Sequence, residues 1–157
     1  MLTSIKTLYQ RALRLCAKLA WIGPLAVRLL VGVAFVVTGW GKLHNLSQVT
    51  DYFASLHIPL PGPQAAFVST VEFVGGLMLI TGIGTRIATL LLIGLMAVAT
   101  LTAKVPEVEQ LIDLVSTIEL TYLVIFVWLL VGGAGAVSID HVLARRGQAG
   151  HQVGEAA

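Results

Sequence analysis

Charge is scarce in this chain: 11% of its 157 residues are Asp, Glu, Lys or Arg, against about 25% in an ordinary soluble domain. A single cysteine, Cys16, excludes an internal disulfide or a CxxC redox pair. The four histidines all lie outside the long apolar runs, which excludes a membrane cytochrome b, whose haem needs histidines facing one another across the spans. A net charge of +2 with scattered basic residues excludes a nucleic-acid surface. Gly82-x-Gly84 has no third glycine and no βαβ setting, so it is a turn and not a dinucleotide fingerprint.

Apolar residues are plentiful, at 57% with a mean hydropathy of +0.90. They come in unbroken runs of about twenty, the length a helix needs to cross a hydrocarbon core, rather than the alternating segments of about ten used by barrels. The sequence therefore predicts an all-α, polytopic membrane protein: a four-helix bundle contacting the lipid bilayer, with spans at about 21–43, 64–82, 86–103 and 114–133 inside a membrane domain 21–139. An amphipathic interfacial arm is expected over 1–20, with apolar Leu2, Ile5, Leu8, Ala12, Leu15 and Leu19 opposite Arg11, Arg14 and Lys18. Val49, Tyr52, Phe53 and Leu56 have the spacing of a short surface helix after the first span. The tail 140–157 has the composition of a frayed end.

Lys6, Arg11, Arg14 and Lys18 precede the first span, Arg86 lies in the second-to-third turn, and Arg145 and Arg146 follow the fourth. The other two loops hold Lys42 and Lys104 against Asp51, Glu107, Glu109 and Asp113. The positive-inside rule then puts both termini in the cytoplasm.

Three ionisable residues fall inside predicted spans away from their end residues, Arg28, Glu72 and Glu119, and each costs about 2.5 to 3.5 kcal/mol on insertion scales unless it has a partner, an aqueous cavity or a role. Arg28, Gly32, Phe35, Gly39 and Lys42 share one helical stripe, and Glu72 is followed by Gly75 and Gly76, so these faces should pack closely through their glycines. A rise of about 1.5 Å per residue puts Lys42 at the outer boundary, Glu119 about 8 Å and Glu72 about 12 Å below it, and Arg28 about 20 Å down. Pairing of Arg28 with Glu72, and of Lys42 with Glu119 or Glu72, is expected. Such a cluster either fixes helix register, or holds a polar ligand head such as the carbonyl pair of a quinone, or meets another subunit, including a second copy of the chain. His44 is a secondary polar candidate beside it. No metal site is predicted, because loop histidines such as His44 and His57 are ordinary polar surface.

The run RLLVGVAFVVTGWGKL (Arg28, Gly39, Gly41, Lys42), the loop HIPLPGP, and VEFVGGLMLITGIGTR (Glu72, Gly75, Gly76, Gly82, Gly84, Thr85, Arg86) together resemble the DoxX family of small bacterial membrane proteins. The resemblance runs from about Arg28 to Lys104 and leaves Glu119 outside it. It implies a multi-pass protein of the bacterial inner membrane, related to small subunits of thiosulfate:quinone oxidoreductase or terminal quinol oxidase. The expected role is an oxidoreductase component rather than a stand-alone enzyme: it anchors a soluble oxidoreductase subunit and offers a quinone-facing pocket of Arg28, Lys42 and Glu72, with no covalently bound cofactor. A non-catalytic membrane scaffold or a small-solute carrier is the alternative.

Overall fold

A computed structural model describes residues 2–104 and 111–145. Its elements are α1 (Leu2–Leu19), α2 (Ile22–His44), α3 (Leu46–Ser55), α4 (Pro61–Thr81), α5 (Thr85–Ala99), α6 (Leu111–Val115) and α7 (Ile118–Gly132). A π-helical turn, Thr100–Lys104, prolongs α5, and residues 139–145 are helical. No strand occurs among the described residues. Three helices are long and apolar enough to cross a membrane, and α7 is a shorter apolar helix of 15 residues, so the protein is an all-α polytopic membrane protein.

The helix ends follow local chemistry. Pro61 and Pro63 open α4, where a missing N–H removes a donor that has no partner in the helix anyway. Gly82 (φ 70°) and Gly84 (φ 57°) both take the left-handed conformation between α4 and α5, which a residue without Cβ adopts at little cost. Thr117 caps α7 by accepting from the Leu120 N–H. The predicted fourth span, 114–133, is thus two pieces, because the chain leaves helical geometry at Thr117 (ψ 142°). The three long apolar helical stretches are Ile22–His44, Pro61–Thr81 and Thr85–Ala103.

In lipid no water is released when apolar helices associate, so close packing has to hold them. α2 pairs with α4 and α5 with α7. A Cβ on Gly39 would lie 2.5 Å from the Phe73 backbone nitrogen, and one on Gly76 would lie 2.7 Å from that of Val36. Backbone therefore meets backbone along the α2–α4 seam. Val31, Phe35, Leu79, Leu92, Phe126 and Leu129 fill the centre, with Phe35 edge-on to both Tyr122 and Phe126. Leu30, Val37, Ile87, Leu90 and Val131 point outward, which suits contact with lipid.

The first residues of the predicted tail, 140–145, are helical. Asp140 accepts from the backbone N–H groups of Gly84 (2.7 Å) and Thr85 (3.0 Å), and its own N–H donates to Gly82 O at 3.0 Å. This carboxylate closes the start of α5, whose unpaired N–H groups and dipole favour an anion. Glu107, Glu109 and the tail beyond Arg145 lie outside the described residues.

Candidate functional site

Lys42 occupies the last turn of α2, and Glu72 lies midway along α4. The antiparallel packing brings them together: Lys42 Nζ donates to Glu72 Oε1 at 2.6 Å. Burial is uneven, with the Glu72 side chain 5% exposed and that of Lys42 37%. The lysine stem crosses apolar surface while its head stays near the end of the bundle. Glu119, in the first turn of α7, borders the same space.

The pairing of Arg28 with Glu72 does not occur. Arg28 lies fourteen residues before Lys42 on the same helix, about 21 Å away along the axis at about 1.5 Å per residue, and faces the opposite end of the bundle. Its Nε donates to Leu79 O (2.9 Å), Nη2 to Ile80 O (3.3 Å), and Nη1 to Val137 O (3.0 Å) and to Ala134 O. The guanidinium is buried and gathers the end of α4 and the segment after α7 with five donors in a fixed fork. Arg28 is therefore remote from the cluster it was expected to join. His44 is exposed, with Nδ1 2.9 Å from Trp40 O, and its ring packs on Trp40; it lines neither cavity beside the cluster.

The larger cavity holds about 540 Å³ and is walled by α3 (Tyr52, Phe53) and Leu56 just after it, α4 (Phe67, Val68, Val71) and α5 (Leu91, Gly94, Leu95, Val98). Lys42, Glu72 and Glu119 supply its charged lining. α4 and α5 touch where Gly75 meets Leu92, and the cavity lies beyond that contact, away from the turn. Several wall residues, Phe67, Leu90, Leu91 and Val98, are also outward-facing, so the mouth opens sideways toward the hydrocarbon. A second cavity of about 190 Å³, between α2 and α7, shares Lys42, Glu72, Met96 and Glu119 with the first.

Two carboxylate oxygens beside these cavities, Glu72 Oε2 and Glu119 Oε2, are buried without a hydrogen-bond partner. An unmet buried acceptor costs about 1 to 3 kcal/mol, and more when charged, so this arrangement suits a donor supplied from outside the chain. The site thus presents one ammonium donor and two unmet carboxylate oxygens at the base of an apolar pocket, a common form of small-molecule site. Among the described residues no three His, Cys, Asp or Glu side chains are grouped to hold a metal ion.

The sequence reading missed the walls. Gly94 interrupts the apolar run LLLIGLMAV, and a Cβ there would meet nothing within 4 Å, so it serves the cavity and not helix packing. The spacing of Tyr52 and Phe53 predicts a surface helix, and the packing of α3 on α4 that makes them cavity wall depends on tertiary structure.

The DoxX family profile matches residues 23–105, which take in α2 to α5. The inner membrane protein YqjF of Escherichia coli (strain K12) is 30% identical over 129 residues, covering 82% of this chain and 98% of that protein. A Bacillus subtilis (strain 168) protein named "Putative oxidoreductase CatD" is 28% identical over 104 residues, covering 66% of this chain and 72% of its own. No solved structure matches. With its glycine seam, its turn and its Lys42–Glu72 pair all inside the matched region, this multi-pass inner-membrane protein belongs to the DoxX family.

Proposed function

We propose that the chain is the membrane subunit of a quinone-linked oxidoreductase system, with the quinone head in the 540 Å³ cavity against Lys42, Glu72 and Glu119. The observation that carries this reading is the unpartnered Glu72 Oε2 at the base of a pocket open to lipid. Family membership and the name of the Bacillus subtilis relative support an oxidoreductase setting. The site fits such a ligand chemically. Lys42 Nζ donates to a quinone carbonyl, a quinol hydroxyl donates to Glu72 Oε2, and an isoprenoid tail leaves through the mouth between α4 and α5.

In this reading the chain binds and orients the head group; oxidation of a quinol gives its two protons to the Glu72 and Glu119 carboxylates, while a soluble oxidoreductase subunit takes up the two electrons. Arg28 has no part in the pocket and holds the bundle together. The test is calorimetric titration of the full-length protein in detergent with a short-chain ubiquinone. Saturable binding is expected, weakened about ten-fold or more in Glu72→Gln by loss of one charge-assisted hydrogen bond. Absence of saturable binding to the folded wild-type protein would sink the proposal and favour a membrane scaffold or solute carrier.

A further inference from the structure

α1 precedes the family match, which starts at residue 23, and the quinone reading gives it no task. None of the close helix pairings in the bundle includes it. At about 100° per residue, Lys6, Gln10, Arg11, Arg14 and Lys18 fall within one arc of about 140°, and Tyr9, Leu13, Leu15, Cys16 and Leu19 occupy the other side. The apolar side is bare: Tyr9 is 65%, Leu13 50%, Leu15 59% and Leu19 52% exposed. Two residues, Ala20 and Trp21, join α1 to the spanning helix α2, so the C-terminal end of α1 is held close to the surface of the bilayer. The exposed side chains of Trp21 and Ile22 mark that junction, where an indole ring is an ordinary interfacial anchor.

We infer that α1 is a docking helix for the anionic headgroups of the leaflet in which α2 begins. Residues 1–20 contain four cations and no Asp or Glu, so the polar arc complements a negatively charged surface. The apolar side lies against acyl chains, and the cations lie at the level of the phosphates. Both halves of this arrangement are needed: apolar burial supplies part of the affinity, and each nearby Lys or Arg multiplies it by about five-fold on an anionic membrane. A neutral bilayer would hold α1 far less firmly. The inference is independent of what the cavity binds.

Cys16 is the sole cysteine of the chain and lies on the apolar side of α1, which makes it a natural reporter. The experiment places the full-length protein in nanodiscs of phosphatidylcholine alone or with about one-third phosphatidylglycerol, and follows reaction of Cys16 with a membrane-impermeant maleimide. Labelling about ten-fold slower in the anionic discs is expected, with the difference abolished by the triple substitution Arg11→Gln, Arg14→Gln, Lys18→Gln and reduced by high salt. Equal labelling rates in the two bilayers, whether fast or slow, would overturn the inference. Slow labelling with equal Cys16–Cys16 cross-linking in both discs would overturn it as well, by showing that a second copy covers the helix. Circular dichroism of the triple variant separates loss of docking from loss of the helix.

Discussion

At the Arg28 end of the bundle a buried cation is surrounded by four backbone carbonyls and a capping carboxylate, Asp140, lies nearby. At the Lys42 end a buried carboxylate has one partner for two oxygens, and a second carboxylate beside it also has an unmet oxygen. Both ends place charge where lipid would penalise it. The difference lies in what completes the hydrogen bonding. The chain itself completes the first, where the leftover group among the described residues is a neutral hydroxyl, Thr85 Oγ1. The second awaits a donor and has a cavity through which one can come. Buried charge closes the fold at the first end, and in the proposed reading the second end is where a ligand supplies the missing donor.

Substitutions should separate the two. The largest effect on stability is expected from Arg28→Gln, which leaves buried carbonyls at Leu79, Ala134 and Val137 short of donors. A loss of about 3 to 5 kcal/mol should appear as a collapsed melting temperature in detergent and a low steady-state level. Arg28→Lys should restore little of it, because an ammonium lacks the planar fork. An unchanged melting temperature in Arg28→Gln would end the contrast between the ends.

Gly39→Val comes next, since its side chain would strike the Phe73 backbone. Forcing α2 from α4 should cost about 1 to 3 kcal/mol and weaken ligand binding indirectly by separating Lys42 from Glu72. Glu72→Gln removes an ion pair whose lysine is 37% exposed, so stability should change by about 1 kcal/mol or less, while quinone binding falls about ten-fold. The smallest structural effect is expected for Gly94→Leu, within about 0.5 kcal/mol as for a surface substitution, because there is open space at that position. Its side chain should nonetheless fill the cavity and block binding. Unimpaired quinone titration of a folded Gly94→Leu protein would move the site elsewhere.

Much of this architecture is legible in the residues. Apolar run length marks the three long helices but not the break at Thr117, and the four-three spacing of Arg28, Gly32, Phe35, Gly39 and Lys42 identifies the face of α2 that is buried apart from the lysine. Lys42 and Glu72 are oppositely charged groups on two glycine-lined faces, so their pairing follows from pattern. The partners of Arg28 do not, because backbone carbonyls carry no side-chain signature and two of them, at Ala134 and Val137, lie beyond α7 in a short uncharged stretch ahead of the predicted tail. Asp140 is hidden for the same reason: a helix N-terminus 56 residues earlier in the chain is an acceptor's partner only after folding. The cavity is also invisible in one dimension, since it depends on how α4 and α5 separate beyond Gly75 and Leu92.

The Arg28 clamp has a consequence for the order of biogenesis. Its carbonyl partner Ala134 lies 106 residues downstream, so at about 5 to 20 residues per second the first span waits about 5 to 20 s for that segment to be made. Leu79 and Ile80 are made about halfway through that interval, but until its end the guanidinium is in or beside the membrane without its Ala134 and Val137 partners. α2 therefore enters the bilayer as a provisional helix, and the arrival of residues 134–137 makes its position permanent. A ribosome stalled before that segment would leave α2 in its most easily extracted state.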